Sequence, residues 1–105
     1  LTAQRCEVEL AESAVDDLRS ILAWHSSRQA PEVGTNMVVA IIEHVERLAA
    51  FPDSGRVVPE FETPWLREVQ CPPYRIVYRH EGALVTVVRV WRSERLIDPK
   101  LAEDA

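Results

Sequence analysis

Apolar residues along this chain change period twice. In "RCEVEL" (5–10), Cys6, Val8 and Leu10 alternate with Arg5, Glu7 and Glu9, which predicts a half-buried strand. The period then lengthens. Val15, Leu18, Ile21 and Leu22 recur at helical spacing, and Ser13 with Asp16 three residues on resembles a capping box, so a helix is expected over 13–28. Pro31 and Gly34 read as a break. Met37, Val38, Ile41, Ile42, Val45 and Leu48 form a second helical stripe, expected over 35–50. The short connection between them implies an antiparallel helix hairpin.

Beyond Phe51 the period returns to two. "PDSGRVVPEFETPW" (52–65) holds three prolines and a glycine and reads as an ordered loop. "LREVQ" (66–70) is a short strand and "CPPY" a turn. "YRIVYRHEGALVTVVRVWR" (74–92) is a β-hairpin with Glu81-Gly82 at its tip. The tail "SERLIDPKLAEDA" has room for one helical turn before Pro99. The order β-α-α-β-β-β predicts an α+β fold, a two-helix hairpin packed on one face of an antiparallel sheet. The chain is long enough for one domain, taken as residues 1–105.

An Glu81-Gly82 loop pairs His80 with Ala83 and Tyr74 with Arg89. One hairpin face then collects Tyr74, Ile76, Tyr78, Val85, Val87 and Trp91, and it suits the helices. The other collects Arg75, Val77, Arg79, Leu84, Thr86, Val88, Val90 and Arg92, and is expected to stay open. Three arginines on an apolar face can be solvated or paired with Glu60, Glu62, Glu68 or Glu94. Alternatively, they form a binding surface with Val77, Val88 and Val90 as its floor, suited to an acidic partner segment or a phosphate backbone.

Charge sharpens this choice. The net charge is −5, which argues against broad nucleic-acid binding. Residues 1–50 carry 4 basic and 8 acidic residues, a balance of −4, whereas residues 65–95 carry six Arg against three Glu, a balance of +3. Eleven of the twelve basic residues are Arg, the side chain that grips carboxylates and phosphates in a planar fork. Two cysteines, Cys6 and Cys71, make no disulfide framework. Cys6 reads as a small buried hydrophobe, and Cys71 has no base beside it in sequence. His25, His44 and His80 lack metal-ligand spacing, so neither a metal nor a cofactor is expected. With no signal-like start and no apolar run of membrane-spanning length, the chain reads as a cytoplasmic protein without membrane contact.

Three segments, taken in order, resemble the RelE/ParE superfamily of bacterial toxin–antitoxin modules. "VELAESAVDDLRSILAW" resembles its strand-to-helix opening, and "LAAFPDSGRVVPEF" resembles its "L…P…GR…PE" segment. "LREVQCPPYRIVYRHEGALVTVVRVWRSERL" resembles its closing hairpin. The resemblance implies a toxin neutralised by a cognate antitoxin, with a homodimer or a toxin–antitoxin hetero-oligomer left open. It also implies one of two mechanisms. ParE-like members act on DNA gyrase without cleavage chemistry; RelE-like members are endoribonucleases that cut mRNA at the ribosome. A non-toxic binding module of the same fold is a third reading.

For the nuclease, the resemblance places Arg75 at the phosphate and Glu60 as a carboxylate, with Arg92 and His80 as the remaining candidates. Lys is absent from the sheet, Lys100 being in the tail, and no Tyr follows Tyr78. A general acid is therefore lacking, and the ParE-like branch is the better match. The expected antitoxin or target contacts are Arg75, Arg79, Arg92, Arg56, Arg67 and Trp91. Arg56 alternatively pairs with Asp53 or Glu60 within its loop. Trp24 is a candidate for an antitoxin groove or a toxin–toxin contact.

Overall fold

A computed structural model describes residues 5–93. The elements are β1 (Glu7–Leu10), α1 (Glu12–Ser27), α2 (Pro31–Arg47), β2 (Arg56–Val57), β3 (Leu66–Cys71), β4 (Tyr74–Glu81) and β5 (Leu84–Arg92). The expected tail turn, Glu94 and Lys100 lie outside the described residues.

The α+β order is as expected, with two helices on one face of the sheet. The sheet itself is mixed, in the order β1-β5-β4-β3-β2. β1 runs parallel to β5, Val8 opposite Val85 and Leu10 opposite Val87. This corrects the all-antiparallel expectation: the helix hairpin carries the chain back so that β1 and β5 point the same way. The segment 52–65 also contains a strand, β2, which pairs with β3 through Arg56↔Glu68 and Val57↔Arg67.

Helix boundaries follow local chemistry. Ala11 is the N-cap of α1 and makes no side-chain cap bond. Ser13 is therefore not a capping residue; its hydroxyl donates to the Val88 carbonyl at 2.6 Å. Pro31 starts α2 rather than breaking it, since the first helical turn leaves its N–H unpaired in any case. Gly34 lies inside α2, where an added Cβ would come within 3.0 Å of the His25 Cβ, so it permits close packing of the helices.

The helix-side core joins Ala14, Leu18 and Ile21 of α1 and Ile41, Val45 and Leu48 with Tyr74, Ile76, Tyr78, Val85 and Val87 of the hairpin. All five hairpin residues expected under the helices are there. The tip differs: Glu81 pairs with Leu84, so the two-residue loop is Gly82-Ala83, with Gly82 at φ +59°. This shifts the pairing by two residues and preserves the faces. A bulge then follows, with Tyr78 opposite Val87 and Val77 opposite Arg89. The extra residue on β5 flips what comes after it. Val90 joins the helix-side core and Trp91 turns to the opposite face, reversing both assignments.

That opposite face is not open. Val58, Leu66, Val77, Val88 and Trp91 form a second buried cluster, with Phe61 packed against it. The segment between β2 and β3 folds back over the sheet, so Val77 and Val88 are core, not a floor awaiting a partner. Tyr78 anchors the stretch that leads into β2. Its hydroxyl donates to the Pro52 carbonyl at 2.7 Å and accepts from the Gly55 N–H at 3.0 Å. Gly55 has no room for a side chain, because a Cβ would meet the Glu68 carbonyl oxygen at 2.5 Å and the Tyr78 hydroxyl at 2.6 Å. Gly55→Ala is expected to lower the unfolding free energy by about 1–3 kcal/mol in urea titration, since backbone on one side and a fixed phenol on the other cannot both yield. A loss within 0.3 kcal/mol, roughly the noise of such titrations, would contradict that packing.

Burial pushes the Tyr78 phenol above the ordinary tyrosine range, against the lowering effects of the Gly55 N–H and Arg67. The unfolded chain therefore ionises this group first. Its stabilising contribution is full below about pH 10 and is lost as pH rises through the folded value. Between about pH 10 and 11 the wild type is expected to lose stability more steeply than Tyr78→Phe, by up to ~1.4 kcal/mol per pH unit. Parallel slopes for the two proteins would refute this.

Candidate partner-binding surface

The arginines set into the hairpin are mostly answered from within the chain. Glu68, on β3, has a fully buried side chain. Its Oε1 accepts from Arg56 Nε at 2.9 Å, Arg56 Nη2 at 2.7 Å and Gln70 Nε2 at 2.9 Å. Its Oε2 accepts from Arg75 Nε at 2.8 Å and also from Arg75 Nη2. Arg75 then grips Glu60 with both terminal nitrogens, at 3.0 Å each. Two guanidiniums thus meet two carboxylates. The hydrogen bonds to Glu60, and after them Glu68, raise the Arg75 pKa above the ordinary arginine value in spite of desolvation, so the group stays charged.

This places the expected binding residues as follows. Arg75 is buried, and Glu60 and Glu68 engage its guanidinium. Arg56 pairs with Glu68, not with Asp53 or Glu60, and its side chain remains 62% exposed. Arg67 donates to the Gly55 carbonyl at 2.9 Å and lies 3.5 Å from Asp53, holding the loop. Arg79 is half-buried, with Nε 3.8 Å from Glu81. Arg92 is exposed, its guanidinium 5.9 Å from the Tyr74 ring centre. Arg75, Arg79 and Arg92 therefore do not form one open-face site.

Of the nuclease candidates, Arg75 and Glu60 meet each other, while His80 stands apart from them. His80 lies five residues from Arg75 along β4, roughly 17 Å at strand rise and on the opposite parity. Its Nδ1 faces Asp53 at 2.7 Å and its Nε2 faces the Gly82 carbonyl at 3.0 Å. Glu60 is held on Arg75. Cys71 is buried at the end of β3, and desolvation raises its thiol pKa.

A surface missed in the sequence lies on the other side. A groove of about 770 Å³ runs between α1 and the end of β5, lined by Asp17, Ser20, Ile21, Trp24, Tyr74, Arg89, Val90, Trp91 and Arg92. Asp17 builds it: its carboxylate accepts from Arg89 Nε at 2.8 Å, Arg89 Nη2 at 2.9 Å and the Val90 N–H at 2.8 Å. The Arg89 guanidinium lies 4.4 Å from the centre of the Trp91 ring. Trp24 is 48% exposed and carries Arg28 over its ring at 3.9 Å. Aromatic surfaces next to arginines are the composition of protein-binding hot spots. Trp24, Trp91 and Arg92 had each been singled out from sequence; the bulge that brings them to one groove had no visible signal.

The fold is a two-helix hairpin on a mixed five-stranded sheet, with a groove between α1 and the end of β5. The family model described as "ParE toxin of type II toxin-antitoxin system, parDE" matches residues 8–97, and the chain belongs to that family. A solved structure titled "Chromosomal ParDE TA system from P. aeruginosa" is similar in fold, with a TM-score of 0.73 and 23% identity. The match covers 88% of this chain and 100% of that one. Among curated proteins, none matches. Among the described residues, no helix is long and apolar enough to cross a membrane.

The buried ion network predicts an asymmetric response to mutation. Arg75→Met leaves Glu68 buried beside a single guanidinium, with an expected loss of about 3–5 kcal/mol. Adding Glu68→Leu removes the stranded charge, so the double variant is expected to be more stable than Arg75→Met alone by about 1 kcal/mol or more. Urea titration of the two variants checks the order, and the reverse order would mean that the pair is not coupled.

Proposed function

We propose that this chain is the toxin of a type II toxin–antitoxin module, that it inhibits DNA gyrase without cleaving nucleic acid, and that a cognate antitoxin neutralises it. The family supports the toxin reading. The observation that carries the non-cleaving reading is the engagement of Arg75 by Glu60 and Glu68. A nuclease of the RelE type needs a cation at the phosphate and acid–base groups around the 2′-hydroxyl and the leaving oxygen. Here the best-placed arginine is neutralised by two carboxylates, one of which was a candidate catalytic group, and His80 is tied at the far end of the strand. A protein of net charge −5 also suits the ribosome poorly.

For the antitoxin, the α1–β5 groove fits better than the back face of the sheet. It offers apolar and aromatic surface for the side chains of an amphipathic segment, with Arg92 at its rim for an acidic residue. The test has two arms. Purified protein is expected to inhibit gyrase supercoiling and to leave ribosome-bound mRNA uncut in primer extension. Codon-specific cuts would overturn the reading in favour of the nuclease, and inactivity in both assays would favour a non-toxic binding module.

Trp24→Ala and Arg92→Ala are each expected to weaken antitoxin binding about tenfold or more in calorimetric titration, corresponding to ~1.4 kcal/mol. Arg56→Ala, on the opposite face, is expected to leave it within about twofold, a difference of ~0.4 kcal/mol. The reverse pattern would move the antitoxin to the network face.

A further inference from the structure

β1 ends the sheet on one side. The Glu7 N–H donates to the Ala83 carbonyl and the Ala11 N–H to the Val87 carbonyl, each at 2.8 Å. A parallel ladder draws on alternate residues, so Glu7, Glu9 and Ala11 turn their backbone toward β5. The N–H and C=O of Val8 and Leu10 point the other way, along an edge that pairs with no strand among the described residues. Cys6 closes the start of this edge by donating to the Ala49 carbonyl at 2.7 Å. The donors and acceptors of Val8 and Leu10 then follow at the two-residue spacing of an extended chain.

The edge borders a groove of about 600 Å³ between β1 and α2, with Val8, Leu10, Ile42, Val45 and Ala49 as its apolar floor. The rim is charged: Glu9 and Glu46 face it with Arg5, and Glu7 stands exposed beside them on β1. Three carboxylates against one guanidinium leave the edge acidic. We infer that this edge takes an extended segment of a partner protein as a sixth strand, with basic side chains opposite Glu7 and Glu9 and apolar ones over the groove. Alternation along β1 supplies both halves of the match. Val8 and Leu10 pack toward the helices, where the incoming apolar residues land; Glu7 and Glu9 face the back, where the cations land.

The same carboxylates reject a second copy of this chain. A twofold pairing of β1 centred on Val8 sets Glu7 against Glu9 of the other copy, and one centred on Glu9 sets the two Glu9 residues together. Like charges directly opposite are destabilising, and charged side chains are a common guard on sheet edges. What repels a copy of β1 selects a basic strand. This surface is separate from the α1–β5 groove, and its occupancy does not depend on toxin activity.

The probes are two synthetic peptides of about nine residues, a usual strand length, titrated into the full chain by calorimetry. One alternates valine with arginine, the other valine with glutamate. The arginine peptide is expected to bind at least about tenfold tighter. Glu7→Lys combined with Glu9→Lys is expected to reverse that preference, which a mere loss of structure would not do. Val8→Pro removes one outward N–H from an edge strand and leaves the ladder to β5, so it is expected to weaken the arginine peptide about tenfold. In the bound wild type, the Val8 and Leu10 amides are expected to exchange hydrogen at least about tenfold more slowly, read by NMR. Equal affinity for the two peptides, a preference unmoved by the charge reversal, or unchanged exchange at Val8 and Leu10 with peptide bound would each overturn the inference. So would a wild-type dimer that Val8→Pro dissociates, which would give the edge to a second copy. Amide exchange on the wild type decides the matter even if a variant fails to fold.

Discussion

The fold of the sheet's back face depends on one buried carboxylate. Glu68 sits in the middle of β3 with its side chain fully covered. Desolvating a lone carboxylate there would cost several kcal/mol. It is tolerated because two guanidiniums arrive from different elements, Arg56 from β2 and Arg75 from β4. Each brings something with it. Arg56 holds the two-residue strand β2 against β3, which would otherwise have little to keep it paired. Arg75 reaches past Glu68 to Glu60 and draws down the segment that carries Val58 and Phe61 over Val77, Val88 and Trp91. The second core and the charge network are thus one device, the apolar cluster excluding water from the ions that position it.

A different constraint governs the opposite end. β1 pairs with β5 only through Val87, which leaves the rest of β5 as an edge. An exposed edge invites pairing with other chains. Here α1 lies along it: Ser13 satisfies the Val88 carbonyl and Asp17 the Val90 N–H. The bulge beside these residues frees backbone groups that two helical side chains then take up. The same Asp17 turns Arg89 onto Trp91 and so shapes the groove. Strand irregularity, edge protection and the groove share one cause.

Much of this was legible in sequence, for definite reasons. Periods of two and of three to four residues marked every element except β2, and the five helix-facing residues of the hairpin followed from alternation alone. Two features did not. A bulge is a one-residue slip with no composition of its own, so Val90 and Trp91 were assigned to the wrong faces. The destination of an arginine is decided by which carboxylate folds against it. Glu60 and Glu68 were both named as possible partners, yet spacing could not show that Arg75 takes both of them and Arg56 takes one. The parallel β1–β5 pairing was hidden for a similar reason, since register between the first and last strands leaves no local trace.

The segments that carried the family resemblance acquire a physical meaning from this network. "GRVVPE" supplies Gly55, Arg56 and Glu60; "LREVQ" supplies Glu68; "YRIVY" supplies Arg75 and Tyr78. Gly55 allows the loop to touch the β3 backbone, Tyr78 pins it, and the four charges close it. The recognisable letters are those that fold the back of the sheet, so likeness at these positions identifies the architecture while leaving the chemistry open. Outside that network, the α1–β5 groove gathers Trp24 and Arg92 around the contacts that Asp17 makes with Arg89 and Val90.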